Sequence, residues 1–405
     1  MTTACSEKTL ADTEFVKQYL CPLMSKLIEE LEVSAGLPEF VDKLIIDGTK
    51  VGWYPDRIAA WRRGERIAPV TIDCAMTRAC NAACHFCYAQ LQASESDGKI
   101  TRDSFFNFLD DAAEIGVKGV SFISDGESTV VPWWANAVCH AAGKGLAVGA
   151  GSNGIRLTRG VLEISLPHLA YLRFNFSAGE RKRYAEIMGV PQADFDLVVH
   201  NIKAGMEIVN RDDLPCTLNM QMVCDPKDGD QIVPFAKLAA ELRPTYAVIK
   251  HCADDVDHKL GVDYSKYEAL LPAFDEAERI GREAGVRIEV KRGRLDGKRK
   301  YTKCFGPPFI MQISGNGLVA PCGFMFNERY KKFHIGNITR QRFKDIWSSA
   351  RYKEVMDYLA GDQFNPQERC GPNCLQHNTN DWLFRHVNGQ VSLPVMEAPP
   401  HLEFL

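Results

Sequence analysis

Three closely spaced cysteines carry the clearest chemical signal in this chain. Cys80, Cys84 and Cys87 lie in the stretch CNAACHFCYA, a CxxxCxxC pattern with an aromatic residue, Phe86, before the last cysteine. Three thiolates can hold three corners of a cubane iron–sulfur cluster, which leaves the fourth iron free to bind a reactant. A structural zinc site needs four protein ligands, and the nearest further candidate, Cys74, lies in an apolar run typical of a core strand. A zinc site or plain core packing is the alternative.

This motif resembles that of the radical SAM superfamily. The resemblance implies that Cys80, Cys84 and Cys87 bind a 4Fe–4S cluster and that Phe86 packs near the adenine of S-adenosylmethionine (SAM). It implies further that the amino and carboxylate groups of SAM chelate the open iron. Reductive cleavage of SAM would then give a 5′-deoxyadenosyl radical, which abstracts a hydrogen atom from a substrate.

A short acidic turn, SDGES at 124–128, follows the next strand-like segment. It resembles the GGE motif of the family, in which backbone carbonyls and the acid bind the ammonium group of SAM. Gly126 and Glu127 match this motif, whereas Asp125 replaces its first glycine. The alternative is an ordinary turn, for which Asp-Gly-Glu is a weak signal.

Two further strand ends resemble cofactor contacts of the family. Ser152 and Asn153, in the sequence SNG, resemble a polar turn that faces SAM, and Ser177 resembles a serine that contacts its carboxylate. The alternative for each is a simple strand-to-loop cap.

Four later cysteines form a second candidate metal site: Cys304, Cys322, Cys370 and Cys374. A predicted hairpin with a Gly-Asn-Gly turn brings the first two together, and the sequence CGPNC supplies the other two. Four thiolates make a closed site for a 4Fe–4S cluster or for zinc. The arrangement resembles a reduced SPASM/twitch extension, which implies one auxiliary 4Fe–4S cluster. A zinc ribbon is the alternative.

Side chains at the last predicted strands could face a substrate. Cys224 and Cys252 end the fifth and sixth strands, where a thiol could return a hydrogen atom to a substrate radical; the alternative is that both fill the core. Asp254, Asp255 and Asp257 follow the sixth strand and would suit amines or hydroxyls, or else belong to a solvated loop.

A basic run, residues 291–303, holds seven basic residues and one acidic residue. It could bind an acidic flavodoxin or ferredoxin that delivers electrons, or a peptide substrate. The alternative is a solvated linker.

These residues must be positioned by a repeated strand–helix pattern. The predicted strands are 70–77, 119–124, 146–152, 171–177, 216–224 and 246–252. Strands that alternate with helices imply parallel pairing with right-handed crossovers. This agrees with the α/β fold that the resemblance implies, a partial (β/α)6 TIM-type barrel with a C-terminal auxiliary-cluster domain. Reactive groups in such folds gather at the carboxyl ends of the strands, where the CxxxCxxC loop also falls.

Four segments follow from this pattern. We expect an N-terminal segment over 1–69, with a helix at 18–33 and a loop across the barrel entrance, a core over 70–290, an auxiliary-cluster domain over 291–380 and a tail over 381–405. Among the helices, Pro132 indicates a start, Asp194 a cap and Pro272 a kink.

Composition is that of a soluble globular protein. The chain has 405 residues, 45% apolar and 25% charged, with a formal charge of −4. This balance gives no indication of nucleic-acid or membrane binding. The N-terminal stretch lacks the apolar core of a secretion signal, so we expect a cytoplasmic protein. Fourteen cysteines in that compartment indicate metal or redox chemistry rather than disulfides.

The expected function is therefore radical SAM chemistry on a polar natural-product precursor. The reaction would be dehydrogenation or epimerisation of a small aminocyclitol or sugar-like metabolite. Radical modification of a ribosomally made peptide is the second hypothesis, and a non-catalytic metal-binding protein is the third.

Overall fold

Eight parallel strands, six of them followed by α-helices, form the centre of the fold in the described residues. The computed structural model describes residues 43–94, 96–372 and 374–405. The sheet contains ten strands in the order β10-β9-β8-β1-β2-β3-β4-β5-β6-β7. Their bounds are β1 Thr71–Cys74, β2 Gly119–Phe122, β3 Ala147–Ser152, β4 Tyr171–Asn175, β5 Thr217–Cys224, β6 Tyr246–His251, β7 Arg287–Val290, β8 Ile310–Ile313, β9 Leu318–Ala320 and β10 Gly336–Asn337. The predicted helix at 18–33 lies outside the described residues.

Helices flank the sheet, and a final group follows the last strand. Their bounds are α1 Pro55–Arg62, α2 Arg102–Glu114, α3 Trp134–Gly143, α4 Arg159–Ser165, α5 Arg181–Met188, α6 Ala193–Arg211, α7 Ile232–Leu242, α8 Leu271–Ala284, α9 Phe343–Ser348, α10 Ala350–Ala360, α11 Pro366–Arg369 and α12 His377–Val387. The parallel strands and crossover helices confirm the predicted partial barrel.

All six predicted strands are present, and each is one to four residues shorter than predicted. Strand β7 was not predicted, because Arg287–Val290 has only four residues, of which two are apolar. Two helix predictions were wrong. Pro272 lies in the first turn of α8 and therefore starts the helix instead of kinking it. Gln192 occupies the cap position of α6. Asp194 lies in the first turn, where its negative charge interacts favourably with the positive end of the helix dipole.

The two faces of the parallel strands have opposite character. The face turned towards the helices is apolar and buried, and it includes Ile72, Cys74, Phe122, Val148, Leu172, Met220 and Ile249. The inner face carries polar side chains at alternate positions, among them Asp73, Ser121, Arg173, Asn175, Gln221 and Lys250. Alternation along each strand thus produces a dry outer layer and a polar lumen.

Strand β3 leaves space in this lumen because it presents glycines there. Gly149 pairs with Tyr171 and Gly151 pairs with Arg173 in the register of β3 with β4. A Cβ atom on Gly149 would lie 2.2 Å from the Tyr171 ring. These two missing side chains allow the longer side chains of β4 to extend across the barrel.

The hairpin β8–β9 extends the barrel sheet directly. Strand β8 pairs in parallel with β1, with Thr71 opposite Ile310 and Cys74 opposite Ile313. β9 and β10 continue the sheet in antiparallel fashion. The segment that follows the basic run is therefore bonded to the edge of the barrel.

Two distant segments cover the amino end of the barrel. Thr71 Oγ1 donates a hydrogen bond to the Glu403 carbonyl (2.7 Å), and the Phe404 ring lies 4.9 Å from that of Tyr171. Lys50 Nζ donates to the His401 carbonyl, and Arg57 donates to the Gly116 carbonyl, just before β2. The described part of the N-terminal segment thus packs opposite the barrel entrance. The expectation that it covers the entrance was wrong, because its cations find their acceptors at the starts of the strands.

Candidate active site at the carboxyl ends of the strands

The CxxxCxxC loop is held in place by the end of α5. Ala83 and His85 donate backbone hydrogen bonds to the carbonyls of Met188 (3.0 Å) and Ile187 (3.3 Å). Gly189 follows with φ of +63°, and a Cβ atom there would lie 2.5 Å from the Ala83 carbonyl oxygen. The helix after β4 therefore fixes the shape of the loop after β1, which no local sequence signal indicated.

The three thiols of this loop suit a multi-iron group better than a single ion. A zinc ion bound at about 2.3 Å would bring its sulfur ligands to within about 3.8 Å of one another. Among the described residues, the only three candidate ligand atoms that all lie within 4.8 Å of one another belong to His85, Asp225 and Asp228. Burial raises the pKa of the Cys84 thiol, so loading a metal group here must release protons.

A large cavity opens beside these thiols. Cys80, Cys84, Cys87 and Phe86 line one side, and Gly126, Glu127 and Asn153 line the next. Its floor is the polar lumen, with side chains from β4, β5 and β6. The cavity thus connects the candidate cluster site with the inside of the barrel.

The buried carboxylate of Glu127 ties β2 to β3. Its Oε1 accepts hydrogen bonds from the Thr129 hydroxyl (2.6 Å), the Ser152 hydroxyl (2.9 Å) and the Thr129 amide (3.2 Å). Its Oε2 accepts one bond, from the Asn153 amide (2.8 Å). Burial nevertheless raises the pKa of this carboxyl. Since a carboxylate oxygen accepts at about two lone-pair sites, Oε2 keeps one acceptor site available.

The predicted SAM-contact residues are brought together, with different exposures. Asn153 lines the cavity and donates a hydrogen bond to the Asn81 side chain in the cysteine loop (2.7 Å). Ser152 is fully buried behind it against Glu127. Ser177 is also buried, and its hydroxyl oxygen accepts from the Val223 amide (3.1 Å). Sequence reasoning missed Thr129, although a hydroxyl two residues after an acid is a recognisable turn signal.

Asp125, the departure from the GGE pattern, joins the barrel to the hairpin. Its carboxylate accepts hydrogen bonds from the Ser314 hydroxyl and the Gly315 amide, both at 2.7 Å. Arg78 Nε lies 3.1 Å from the same group. Gly126 beside it has φ of +77°, and a Cβ atom there would lie 2.1 Å from the Thr77 carbonyl. Asp125 therefore has a structural partner in β8–β9, and the turn requires the glycine.

The second set of cysteines lies together under the hairpin. Burial, and then the neighbouring thiols, raise the pKa of Cys304, and burial raises that of Cys370 to about 12. No three of the four sulfur atoms lie within 4.8 Å of one another in the described residues, a spacing that disfavours a single zinc ion. Cys374 also lines the large cavity, so the second site opens towards the first.

Arg299 braces the loop that carries two of these cysteines. Its guanidinium donates hydrogen bonds to the carbonyls of Pro366 (2.8 Å), Cys370 (3.4 Å) and Gly371. Three other cations of the basic run also have partners: Lys291 with Glu289, Arg292 with Glu278, and Lys303 with Asp362. Much of the run is therefore bound within the protein.

The candidate hydrogen donors do not line the large cavity. Cys224 and Cys252 are both 0% exposed, and the Cys252 sulfur lies 3.7 Å from the Phe86 carbonyl. Tyr267 lies between them, since its hydroxyl donates to the Cys224 carbonyl and accepts from the Cys252 amide. Their role as donors stays a prediction.

The acidic loop after β6 is occupied with its own backbone. Asp254 is 0% exposed and accepts hydrogen bonds from the amides of Asp255, Leu260 and Val262. Asp257 pairs with Arg329 at 2.5 Å. These carboxylates shape the loop and do not line the cavity.

Comparisons with known proteins agree with this geometry. The SPASM family, an iron–sulfur cluster-binding domain, matches residues 304–375. An AdoMet-dependent heme synthase of Methanosarcina barkeri is 26% identical over 318 residues, which is 72% of this chain and 85% of that protein. The PqqA peptide cyclase of Bradyrhizobium diazoefficiens is 26% identical over 231 residues, 50% of this chain and 60% of that protein.

The fold has a solved counterpart. Streptococcus suis SuiB bound to S-adenosylmethionine superposes with a TM-score of 0.56 at 17% identity, over 75% of this chain and 72% of that chain. The matched relatives and structures support a resemblance of this chain to radical SAM proteins of the SPASM branch. The family matched at 304–375 binds an iron–sulfur cluster, and the two cysteine sets described above fit such clusters. Among the described residues, none of the helices has both the length and the apolar character needed to cross a bilayer.

The link from Asp125 to the hairpin predicts a large effect on stability. Asp125→Ala should lower the free energy of unfolding by about 2–4 kcal/mol, because buried donors lose a charged acceptor. Urea unfolding would measure the change. Asp97→Ala, which removes an exposed partner of Arg340, should cost less than about 1 kcal/mol. Equal effects of the two substitutions would contradict the assigned role.

Asp73 predicts a specific pH dependence of stability. Burial raises the pKa of its carboxyl from 3.8 to about 6. The folded state therefore holds more protons than the unfolded state between about pH 4 and 6, so this group's contribution to stability falls as the pH rises through that window. Asp73→Asn should gain stability relative to the parent across the same window, by up to about 3 kcal/mol. Thermal unfolding at several pH values would measure this gain, and the exposed-site variant Asp97→Asn should not show it.

Proposed function

We propose that this protein cleaves SAM reductively and removes a hydrogen atom from a small polar molecule held in the barrel lumen. The observation that carries the proposal is one cavity lined by the three cysteines, by Glu127 and by the polar floor of the barrel. When bound, the cluster and SAM supply the 5′-deoxyadenosyl radical that performs the abstraction.

The chain's own residues would hold SAM between the cysteine loop and the ends of β2 to β4. Glu127 keeps one acceptor site on Oε2, which suits the ammonium group of SAM. Ser177 is fully buried and does not line the cavity, so its contact with the carboxylate of SAM stays a prediction. Phe86 lines the same cavity and offers an apolar surface for the adenine. The hydrogen bonds between the cysteine loop and the end of α5 fix the position of this loop beside the cavity.

The position of Cys374 supports dehydrogenation over epimerisation. A dehydrogenation removes a proton and an electron after the hydrogen atom, so it needs an electron acceptor near the substrate. Cys374 lines the cavity that would hold the substrate, and a cluster bound to it could accept that electron. Epimerisation by Cys224 or Cys252 needs a thiol on the cavity wall, whereas both are fully buried.

A peptide substrate is the second candidate. The PqqA peptide cyclase is among the relatives of this chain, and SuiB has been solved with its precursor peptide SuiA bound, in a structure that superposes at a TM-score of 0.57. The likeness to SuiB concerns the fold. It justifies including short peptides among the substrates tested.

Iron content provides the first test. Anaerobic reconstitution should load about eight irons per chain, since two cubane clusters hold four each. Replacing Cys80, Cys84 and Cys87 together by Ala should leave about four irons and abolish formation of 5′-deoxyadenosine. Replacing Cys304, Cys322, Cys370 and Cys374 should also leave about four irons but retain some SAM cleavage. Iron and sulfide assays with product chromatography would measure both, and loss of activity only in the second variant would refute the assignment.

Product mass distinguishes the candidate reactions. The reduced enzyme is incubated in deuterated water with small polar molecules or with short peptides. Loss of two mass units indicates dehydrogenation, as the position of Cys374 favours, and gain of one deuterium without a change in oxidation state indicates epimerisation. Cys252→Ala should leave a dehydrogenation unchanged, whereas an epimerisation that depends on Cys252 should be lost.

A further inference from the structure

Arg173 stands in the middle of the lumen with space around it. It lies on β4 and lines both the large cavity and a smaller one at the amino end of the barrel. Gly151 faces it from β3, where a Cβ atom would come within 3.2 Å of Arg173 Nη2. The glycine therefore makes room for the guanidinium at the centre of the barrel.

This guanidinium has no counter-ion among the described residues. Its Nε is buried without a hydrogen-bond partner, and none of the described carboxylates forms an ion pair with it. Asp73 is near enough to be influenced by its charge, but the Asp73 carboxylate accepts its hydrogen bond from Gln312 (3.0 Å). A partly enclosed cation without a carboxylate partner is unfavourable, and a bound anion would offset this cost.

A second cation faces the same space. Lys250 of β6 pairs in register with Val223 of β5, and both line the cavity. The charge of Lys250, like that of Arg173, acts on Asp73. Two cations therefore act on one carboxyl of the lumen. Asn175 and Gln221, joined at 3.1 Å, add amide groups to the wall.

The depth of Arg173 separates it from the SAM site. Ser177, the candidate contact of the SAM carboxylate, follows Arg173 by four residues along the β4 chain, or roughly 13 Å at about 3.3 Å per residue. An anion on Arg173 would therefore lie deeper in the barrel than SAM, on the side where a substrate must bind.

We propose that Arg173, together with Lys250, binds a carboxylate or phosphate group of the substrate at the floor of the lumen. This inference rests on the proposed function and names its substrate class, an organic anion. A guanidinium binds either oxyanion through two parallel hydrogen bonds. Anchoring the charged end at the floor directs the other end of the substrate towards the cysteine loop.

Inorganic phosphate and acetate are suitable probes, because they represent the two possible anions. Isothermal titration of each into the reconstituted, SAM-saturated enzyme should show binding. Arg173→Gln should weaken it at least tenfold, Lys250→Gln about threefold or more, and Arg173→Lys less than Arg173→Gln. Arg282→Gln, which changes an exposed arginine on α8, should bind like the parent. The stronger of the two probes identifies the class of anion.

The affinity for SAM is the control that distinguishes an anion of the substrate from the carboxylate of SAM as the partner of Arg173. Arg173→Gln should leave the Kd of SAM, measured by equilibrium dialysis, within about twofold of the parent. If the probes bind only in the absence of SAM and the variant loses SAM affinity, Arg173 serves the cofactor and the proposal fails. It also fails if neither probe binds the parent, or if Arg173→Gln binds both probes normally. Failure of the proposed function is distinguishable, since it would appear as absence of 5′-deoxyadenosine from the parent while probe binding persists.

Discussion

The parallel pairing of β1 with β8 determines how the rest of the molecule is arranged. The cysteine loop leaves the end of β1, and the turn of the β8–β9 hairpin leaves the adjacent edge. The hydrogen bonds between strands therefore set the relative position of the two cysteine sets, with no need for a flexible interface. Asp125 strengthens the same edge by binding the hairpin turn through Ser314 and Gly315.

The interior of the barrel is organised by charge. Carboxylates near the entrance accept hydrogen bonds from local donors, as at Glu127 and Asp125, and the acidic loop after β6 binds its own amides. Two cations, Arg173 and Lys250, line the floor of the cavity. Charges interact more strongly in a space that is partly shielded from solvent, because its effective dielectric constant is lower than that of water. The acidic loop had suggested an amine as substrate, whereas these two cations are the reason why we propose an anion.

The features that depend on local patterns could be predicted from the sequence. The strands were visible because apolar runs were bounded by turn residues, and the cysteine sets were visible because their spacing is short. The contact of α5 with the cysteine loop and the pairing of β8 with β1 could not be read from the sequence, since each joins segments that are far apart along the chain. Arg173 and Lys250 carried a signal that was overlooked: in YLRFNF and YAVIKH, polar residues alternate with apolar ones, which indicates a second, polar face. The segment around Trp53 was placed at the wrong end because nothing in its composition distinguishes the two ends of a barrel.

The glycines of β3 have a consequence for how such a barrel can diversify. Gly149 and Gly151 contribute no atoms to the lumen, yet they decide how far the side chains of β4 can reach across it. A single added methyl group would change the shape of the chamber, because it would meet the Tyr171 ring at position 149 and Ile123 and Arg173 at position 151. Selection acting on this one strand could thus retune which molecules are accepted, independently of the machinery that generates the radical.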